Sequence, residues 1–228
     1  MVTPEVMMRT SRQTKAYLLC DDCEDVLNRG GETWIVPLLA TANDTFPLYD
    51  IISKTAPDLD EPDMKAYAAS RNAEVAVDKI VHFAAGIFWK SSVHSWSCTQ
   101  RESLIDLGPY SNDLRAFLLG KELFPAAMTL HVLALPPPVR IISTHLPIKA
   151  KSSGFRGYCL YVPGIDFRLC VGKKIPDELR RTCIYHSPLH PIVVAEYAQR
   201  ELANDMVAAL SSTRRRARKL AEWFNGLQ

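Results

Sequence analysis

The strongest periodic signal in the chain lies between residues 75 and 97. Val77, Ile80, Val81, Ala84, Ile87, Phe88 and Ser91 follow one another at steps of three and four, the repeat of one face of an α-helix. Phe83, Trp89, Val93 and Trp96 fill most of the remaining circumference, which predicts a helix buried at the centre of a domain. Only Asp78, His82, Gly86, Lys90 and His94, each four apart, form a polar stripe. Upstream, residues 14–40 read as mostly helical, with Asp21 or Asp22 as a cap, Gly30-Gly31 as a break or kink, and a second helical stretch from Glu32 to Leu39. Residues 41–74, punctuated by Pro47, Pro57 and Pro62, read as a long surface loop with short helical pieces.

Downstream the pattern changes period. Leu107-Gly108-Pro109-Tyr110 predicts a turn, and a short helix follows from Asn112 to Leu119 with Gly120 as its stop. Met128–Leu135 and Val139–His145 are strand candidates on either side of Pro136-Pro137-Pro138. Tyr158–Val162 and Ile165–Val171 flank Pro163-Gly164 as a hairpin, whose second arm alternates Ile165, Phe167, Leu169 and Val171 against Asp166, Arg168 and Cys170. In residues 192–226 a stripe through Val194, Ala198, Leu202, Met206, Ala209, Thr213, Ala217, Leu220 and Phe224 predicts a long helix, or two if Ser211-Ser212-Thr213 caps a second. These elements predict an α+β fold. Its helical N-terminal part is organised around the buried helix at 75–97, a small antiparallel sheet occupies 127–172, and the C-terminal helix at 192–226 packs across it.

Composition narrows the class only slightly. A hydrophobic content of 47% and a charged content of 23% are globular values, and a net charge of +2 puts any recognition of nucleic acid or membrane on a local patch. No apolar run approaches the roughly 20 residues of a membrane-spanning helix. Residues 1–10 lack the apolar core of a signal peptide, so a reducing cytoplasm is the expected compartment, and paired cysteines there point to metal or packing rather than disulfides.

Four groups of residues carry candidate chemistry. Cys20-Asp21-Asp22-Cys23 has the spacing that lets two thiolates meet one zinc ion, but a structural zinc needs four ligands and the sequence holds no second pair. Two unmetallated cysteines at a helix start and a redox pair are the alternatives, the latter without the preceding strand of a thioredoxin-like unit. His186 and His190 are four apart, a metal-binding spacing on a helix; Pro188 favours a turn with exposed imidazoles. His82, Lys90 and His94 form either a phosphate-binding or acid–base stripe or the solvated edge of a core helix, and Gly86 between them allows a second backbone to approach. Arg214, Arg215, Arg216, Arg218 and Lys219 form either a phosphate-contacting patch for DNA or RNA or the charged outer face of a terminal helix. Gly-rich phosphate loops and nucleophile elbows are absent from the sequence.

Several segments taken together resemble a family of largely uncharacterised bacterial proteins. They are Ser11-Arg12-Gln13, Tyr17-Leu18-Leu19-Cys20, Cys23-Glu24, Gly31-Glu32-x-Trp34, His82-Phe83-Ala84, Phe88-Trp89-Lys90 and Val93-His94-x-Trp96. Leu107-Gly108-Pro109-Tyr110, Leu114-Arg115, Leu118-Leu119-Gly120 and Phe124-Pro125 continue the likeness, which covers roughly residues 11–172. Complete members of that family begin with another Cys-x-x-Cys and a Ser-His-Ile-Ile-Pro-like stretch, a layout similar to HNH nucleases. The resemblance implies that Cys20 and Cys23 are the second pair of a four-cysteine zinc site, and that residues 1–40 are the remnant of this zinc-binding segment ahead of an α+β domain at 41–228. It also implies a histidine activating water beside a catalytic metal. This chain lacks the first cysteine pair and that histidine segment, and has Lys90 where the family pattern has Arg. The function expected is a truncated HNH-like protein, nucleic-acid-associated and catalytically incomplete. The alternative is a non-enzymatic interaction protein, self-associating or binding a protein partner through its C-terminal helix.

Overall fold

A computed structural model describes residues 17–41, 45–62, 64–94, 105–137, 147–150 and 154–195. Its frame is a seven-stranded mixed sheet in the order β1-β2-β7-β3-β6-β5-β4. The strands are β1 (Leu59–Glu61), β2 (Met64–Ala68), β3 (Met128–Ala134), β4 (Ile148–Ala150), β5 (Arg156–Val162), β6 (Ile165–Val171) and β7 (Pro191–Ala195). All neighbours run antiparallel except β3 and β7, which are parallel.

The hairpin of β5 and β6 lies where the alternating pattern and Pro163-Gly164 predict it. Val162 pairs with Ile165 across the turn, and Gly164 takes the positive φ of 82° that a tight reversal requires. Ile165, Phe167, Leu169 and Val171 all face the core. The small antiparallel sheet at 127–172 is nevertheless a fragment of a larger one. Three strands from outside that range extend it, and all three come from stretches expected in other states.

β2 comes from the segment read as a long loop. Its Tyr67 faces the core opposite Ile192, and the edge strand β1 pairs along its outer side. β7 comes from the start of the stretch read as a C-terminal helix. The run Ile192-Val193-Val194 is β-branched throughout, and sits between β2 and β3 with a ladder on each side. A helix over 192–226 is therefore overturned at its beginning; residues 196–228 lie outside the described residues. So do the strand candidate at 139–145 and Trp96.

Among the described residues six α-helices accompany the sheet: α1 (Asp21–Leu27), α2 (Thr33–Ile35), α3 (Pro47–Ile52), α4 (Val77–Val93), α5 (Ser111–Leu118) and α6 (Asp177–Arg181). α4 is the central helix expected at 75–97, shortened to 17 residues. Ile80, Val81, Ala84 and Phe88 are fully buried in it, and the Phe83 ring meets that of Phe167 on β6 at 5.9 Å. Burial of Phe88 and Trp89 follows the apolar pattern, whereas Val93 at the helix end is exposed.

The N-terminal helical stretch departs from expectation at its glycines. Gly30 and Gly31 do not break it. They lie in a π-helical turn, Asn28–Glu32, that joins α1 to α2 without interruption. The reason is contact with α4. A Cβ on Gly31 would stand 2.4 Å from the Lys79 carbonyl oxygen and 2.6 Å from the Phe83 nitrogen, so only glycine lets the turn lie on that backbone. Lys79 Nζ donates to the Arg29 carbonyl oxygen at 3.0 Å across the same seam. Beyond α4, α5 ends at Gly120, whose φ of +67° is the left-handed stop its sequence position predicts.

Candidate functional site

Cys20, and not either aspartate, is the N-cap of α1. Its backbone is extended (φ −74°, ψ 164°), and no side chain caps the helix. Its carbonyl oxygen accepts the Glu24 N–H at 2.9 Å, so the first helical turn closes directly behind it. Cys23 lies on that turn, and the two thiols point to one place: the Cys23 side chain donates a hydrogen bond to the Cys20 sulfur. The Cys23 backbone N–H, which faces that sulfur without closing a capping hydrogen bond, and then the Cys23 thiol hold the Cys20 thiol below its ordinary pKa, against burial and the nearby Asp22 carboxylate. Donating to Cys20 keeps the Cys23 proton in place and raises its pKa, while the Arg115 charge acts in the opposite direction. Cys20 is exposed and Cys23 half-buried.

A cavity of about 240 Å³ opens beside the pair. Leu18, Leu27, Trp89 and Leu118 form apolar walls, and Arg115 of α5 supplies the cation. Trp89 and Arg115 were not singled out from the sequence as neighbours of the cysteines. The first reads as core and the second as an ordinary helix-surface charge, and only the packing of α1 against α4 and α5 unites them.

The candidate stripe on α4 begins at His82. The His82 ring lies against Gly30, where an added Cβ would come within 2.3 Å of Nδ1. Its Nε2 pairs with the Leu118 carbonyl oxygen at 3.0 Å. Burial lowers the His82 pKa, more than offsetting that hydrogen bond, so the ring is neutral with Nε2–H donating. Nδ1 is buried and receives no hydrogen bond from a described residue. His82 also lines, with Lys90 and Glu32, a cavity of about 20 Å³, room for one water molecule. Lys90 turns toward α1, with Nζ 3.5 Å from a Glu24 carboxylate oxygen. His94 is the extended residue at the end of α4, its N–H bonded to the Lys90 carbonyl oxygen at 3.1 Å. The first half of the stripe is the seat of the π-turn. The second backbone approaches at Gly31, not Gly86, whose nearest neighbours are side-chain carbons of Leu27 and Leu118 at 3.8 and 4.0 Å.

His186 and His190 belong to a turn, as Pro188 predicts, and each is tied to backbone. His186 Nε2 pairs with the Met128 carbonyl oxygen at 3.2 Å, and His190 Nδ1 with that of Ile184 at 2.7 Å. His190 adopts a left-handed φ of 50° there. Among the described residues no cluster of three or more His, Cys, Asp or Glu side chains is placed to hold a metal ion.

Comparison of the chain with family models, curated proteins and solved structures finds no match. The assignment of a role to Cys20 and Cys23 therefore stands on their geometry and on the motif resemblance. Arg214, Arg215, Arg216, Arg218 and Lys219 lie outside the described residues. Among the described residues no helix is long and apolar enough to cross a membrane.

A second polar group escaped the sequence reading. His131 on β3 stands opposite Arg168 on β6, on the sheet face away from α4. His131 contacts the Thr129 hydroxyl at 3.1 Å through Nε2 and the Thr182 hydroxyl at 3.3 Å through Nδ1. Arg168 is paired with Asp166 at 3.0 Å. Burial pushes the His131 pKa down to about 4, the Thr182 hydrogen bond acts the other way, and the Arg168 charge adds to the depression. The alternation Asp166, Arg168, Cys170 signalled a polar face of β6; nothing local to His131 signalled its burial.

Proposed function

We propose that this chain is an HNH-like, nucleic-acid-associated protein in which Cys20 and Cys23 supply two thiolates to a structural zinc ion. The observation that carries the reading is the convergence of the two thiols at the exposed start of α1, where an ion can reach both. The lowered pKa of Cys20 favours the thiolate that binds metal. A structural zinc takes four ligands. For the purified chain the simplest donor of the other two is the same pair in a second copy, giving one metal per two chains. The 228 residues contain no Ser-His-Ile-Ile-Pro, so no residue is assigned to strand cleavage. Affinity for nucleic acid is assigned to Arg214, Arg215, Arg216, Arg218 and Lys219, whose five cations would displace counterions from phosphates.

Two measurements test the two halves. Titration with cobalt(II) is expected to give thiolate-to-metal charge-transfer absorption that Cys20→Ser and Cys23→Ser each abolish. Unchanged absorption in either variant ends the zinc reading. Retention on immobilised DNA is expected to fall steeply with salt, and replacement of the five cations by Gln to flatten that dependence. Equal retention of the two proteins at low salt ends the nucleic-acid reading.

A further inference from the structure

We propose that Cys20 and Cys23 also form a reversible dithiol that closes to a disulfide by exchange with low-molecular-weight disulfides. This goes beyond the zinc reading and does not rest on it, because it requires neither a metal nor nucleic acid. Cys20 is the N-cap residue of α1, Cys23 lies on its first turn, and both line one cavity. The two thiols are close enough to influence each other's protonation, so closing the bond joins groups that already neighbour one another.

Exposure divides the labour. Cys20 sits in extended backbone ahead of the helix and is open to solvent, whereas Cys23 is half-buried behind it. Cys20 is thus the sulfur an incoming disulfide meets, and Cys23 the one that resolves the adduct. The apolar cavity beside them, walled by Leu18, Trp89 and Leu118, accommodates the organic part of the reagent while exchange occurs. Cys170 and Cys183 are buried and take no part.

The exchange balances in two steps. The Cys20 thiolate attacks one sulfur of R–S–S–R. A Cys20–S–S–R bond forms, the reagent's S–S bond breaks, and the departing RS⁻ takes up the proton that Cys20 released. The Cys23 thiolate then attacks the Cys20 sulfur. The Cys20–Cys23 bond forms, the mixed disulfide breaks, and the second RS⁻ takes up the proton from Cys23. Two electrons pass from the pair to the reagent, which leaves as two thiols.

The full chain, freed of metal with a chelator, is equilibrated in buffers of varied reduced-to-oxidised glutathione ratio, alkylated, and mapped by mass spectrometry. An internal disulfide confined to Cys20 and Cys23 is expected, with the two-electron dependence on glutathione ratio. Cys23→Ser is expected to stop at a glutathione adduct on Cys20, and Cys20→Ser to react at least about tenfold more slowly. A stable glutathione adduct on Cys20 as the end product of the unmodified chain overturns the proposal, as does a disulfide involving any other cysteine. A parallel arm preloaded with zinc separates the two readings. Protection from exchange there reports metal on the pair, and equal exchange in both arms leaves the dithiol standing while the zinc reading falls.

Discussion

Two glycines on adjoining elements have opposite roles. Gly31 carries the π-turn onto the backbone of α4, and its missing Cβ is what permits the contact. Gly86 occupies the middle of that helix with ordinary van der Waals space around it. Gly31→Ala is accordingly expected to destabilise the protein by at least about 1–3 kcal/mol, because the added methyl must push apart two backbones. Gly86→Ala is expected to stabilise it by about 0.5–1 kcal/mol through reduced chain entropy. Urea unfolding midpoints of the two variants should move in opposite directions; a common sign would show that the turn does not bear on α4 as described. From the sequence Gly30-Gly31 had the character of a break or kink and Gly86 that of a contact point. The inversion arises because a glycine's role depends on what lies across from it, which no neighbouring residue in the chain encodes.

Among elements, β7 has the largest leverage for its length. Its five residues pair with β2 on one side and β3 on the other, and thereby join the β1–β2 hairpin to the rest of the sheet. Ile192 is fully buried between Tyr67 and Val132 in the register. Ile192→Ala is expected to cost about 2–5 kcal/mol, the range for a large-to-small change in a core. Hydrogen exchange should lose protection in β2 together with β7 while β5 and β6 stay protected. Loss spread evenly over all seven strands would contradict this division. The segment's state was not readable locally: five residues are too few to distinguish the period of a strand from that of a helix, and Val194 also fits the apolar stripe that continues to Phe224. Its β-branched composition was the signal available, and its two sheet partners, more than 50 residues away in sequence, decided the outcome.

For the molecule as a whole, the depressed pKa of His131 links folding to pH. An unfolded histidine titrates near 6.5 and the folded one at about 4, so between these values the unfolded chain binds more protons. The contribution of neutral His131 is therefore fully present above about pH 6.5 and is lost as pH falls toward 4. His82, whose pKa burial also lowers, acts in the same direction. Stability is expected to decline by on the order of 2–3 kcal/mol on this account between pH 7 and 4. In urea unfolding across that range, His131→Gln should show a shallower decline than the unmodified chain; parallel curves would show that His131 is protonated without cost.

What the sequence determined by itself was the part of the fold written in short-range pattern. The all-round apolar character of Val77–Val93 required a buried helix, Pro163-Gly164 with its alternating flanks required a hairpin, and Gly120 required a helix stop. The spacing of Cys20 and Cys23 likewise put one at the cap and the other on the first turn of α1. Tertiary structure decided whatever depended on partners distant in the chain. It recruited β2 and β7 into the sheet, because backbone donors and acceptors there are satisfied by strands remote in sequence. It laid the glycine pair into a seam against α4, and ended α4 at Val93 with His94 in extended conformation. It also placed Trp89 and Arg115 beside the cysteines, since a cavity exists only where helices from separate parts of the chain meet.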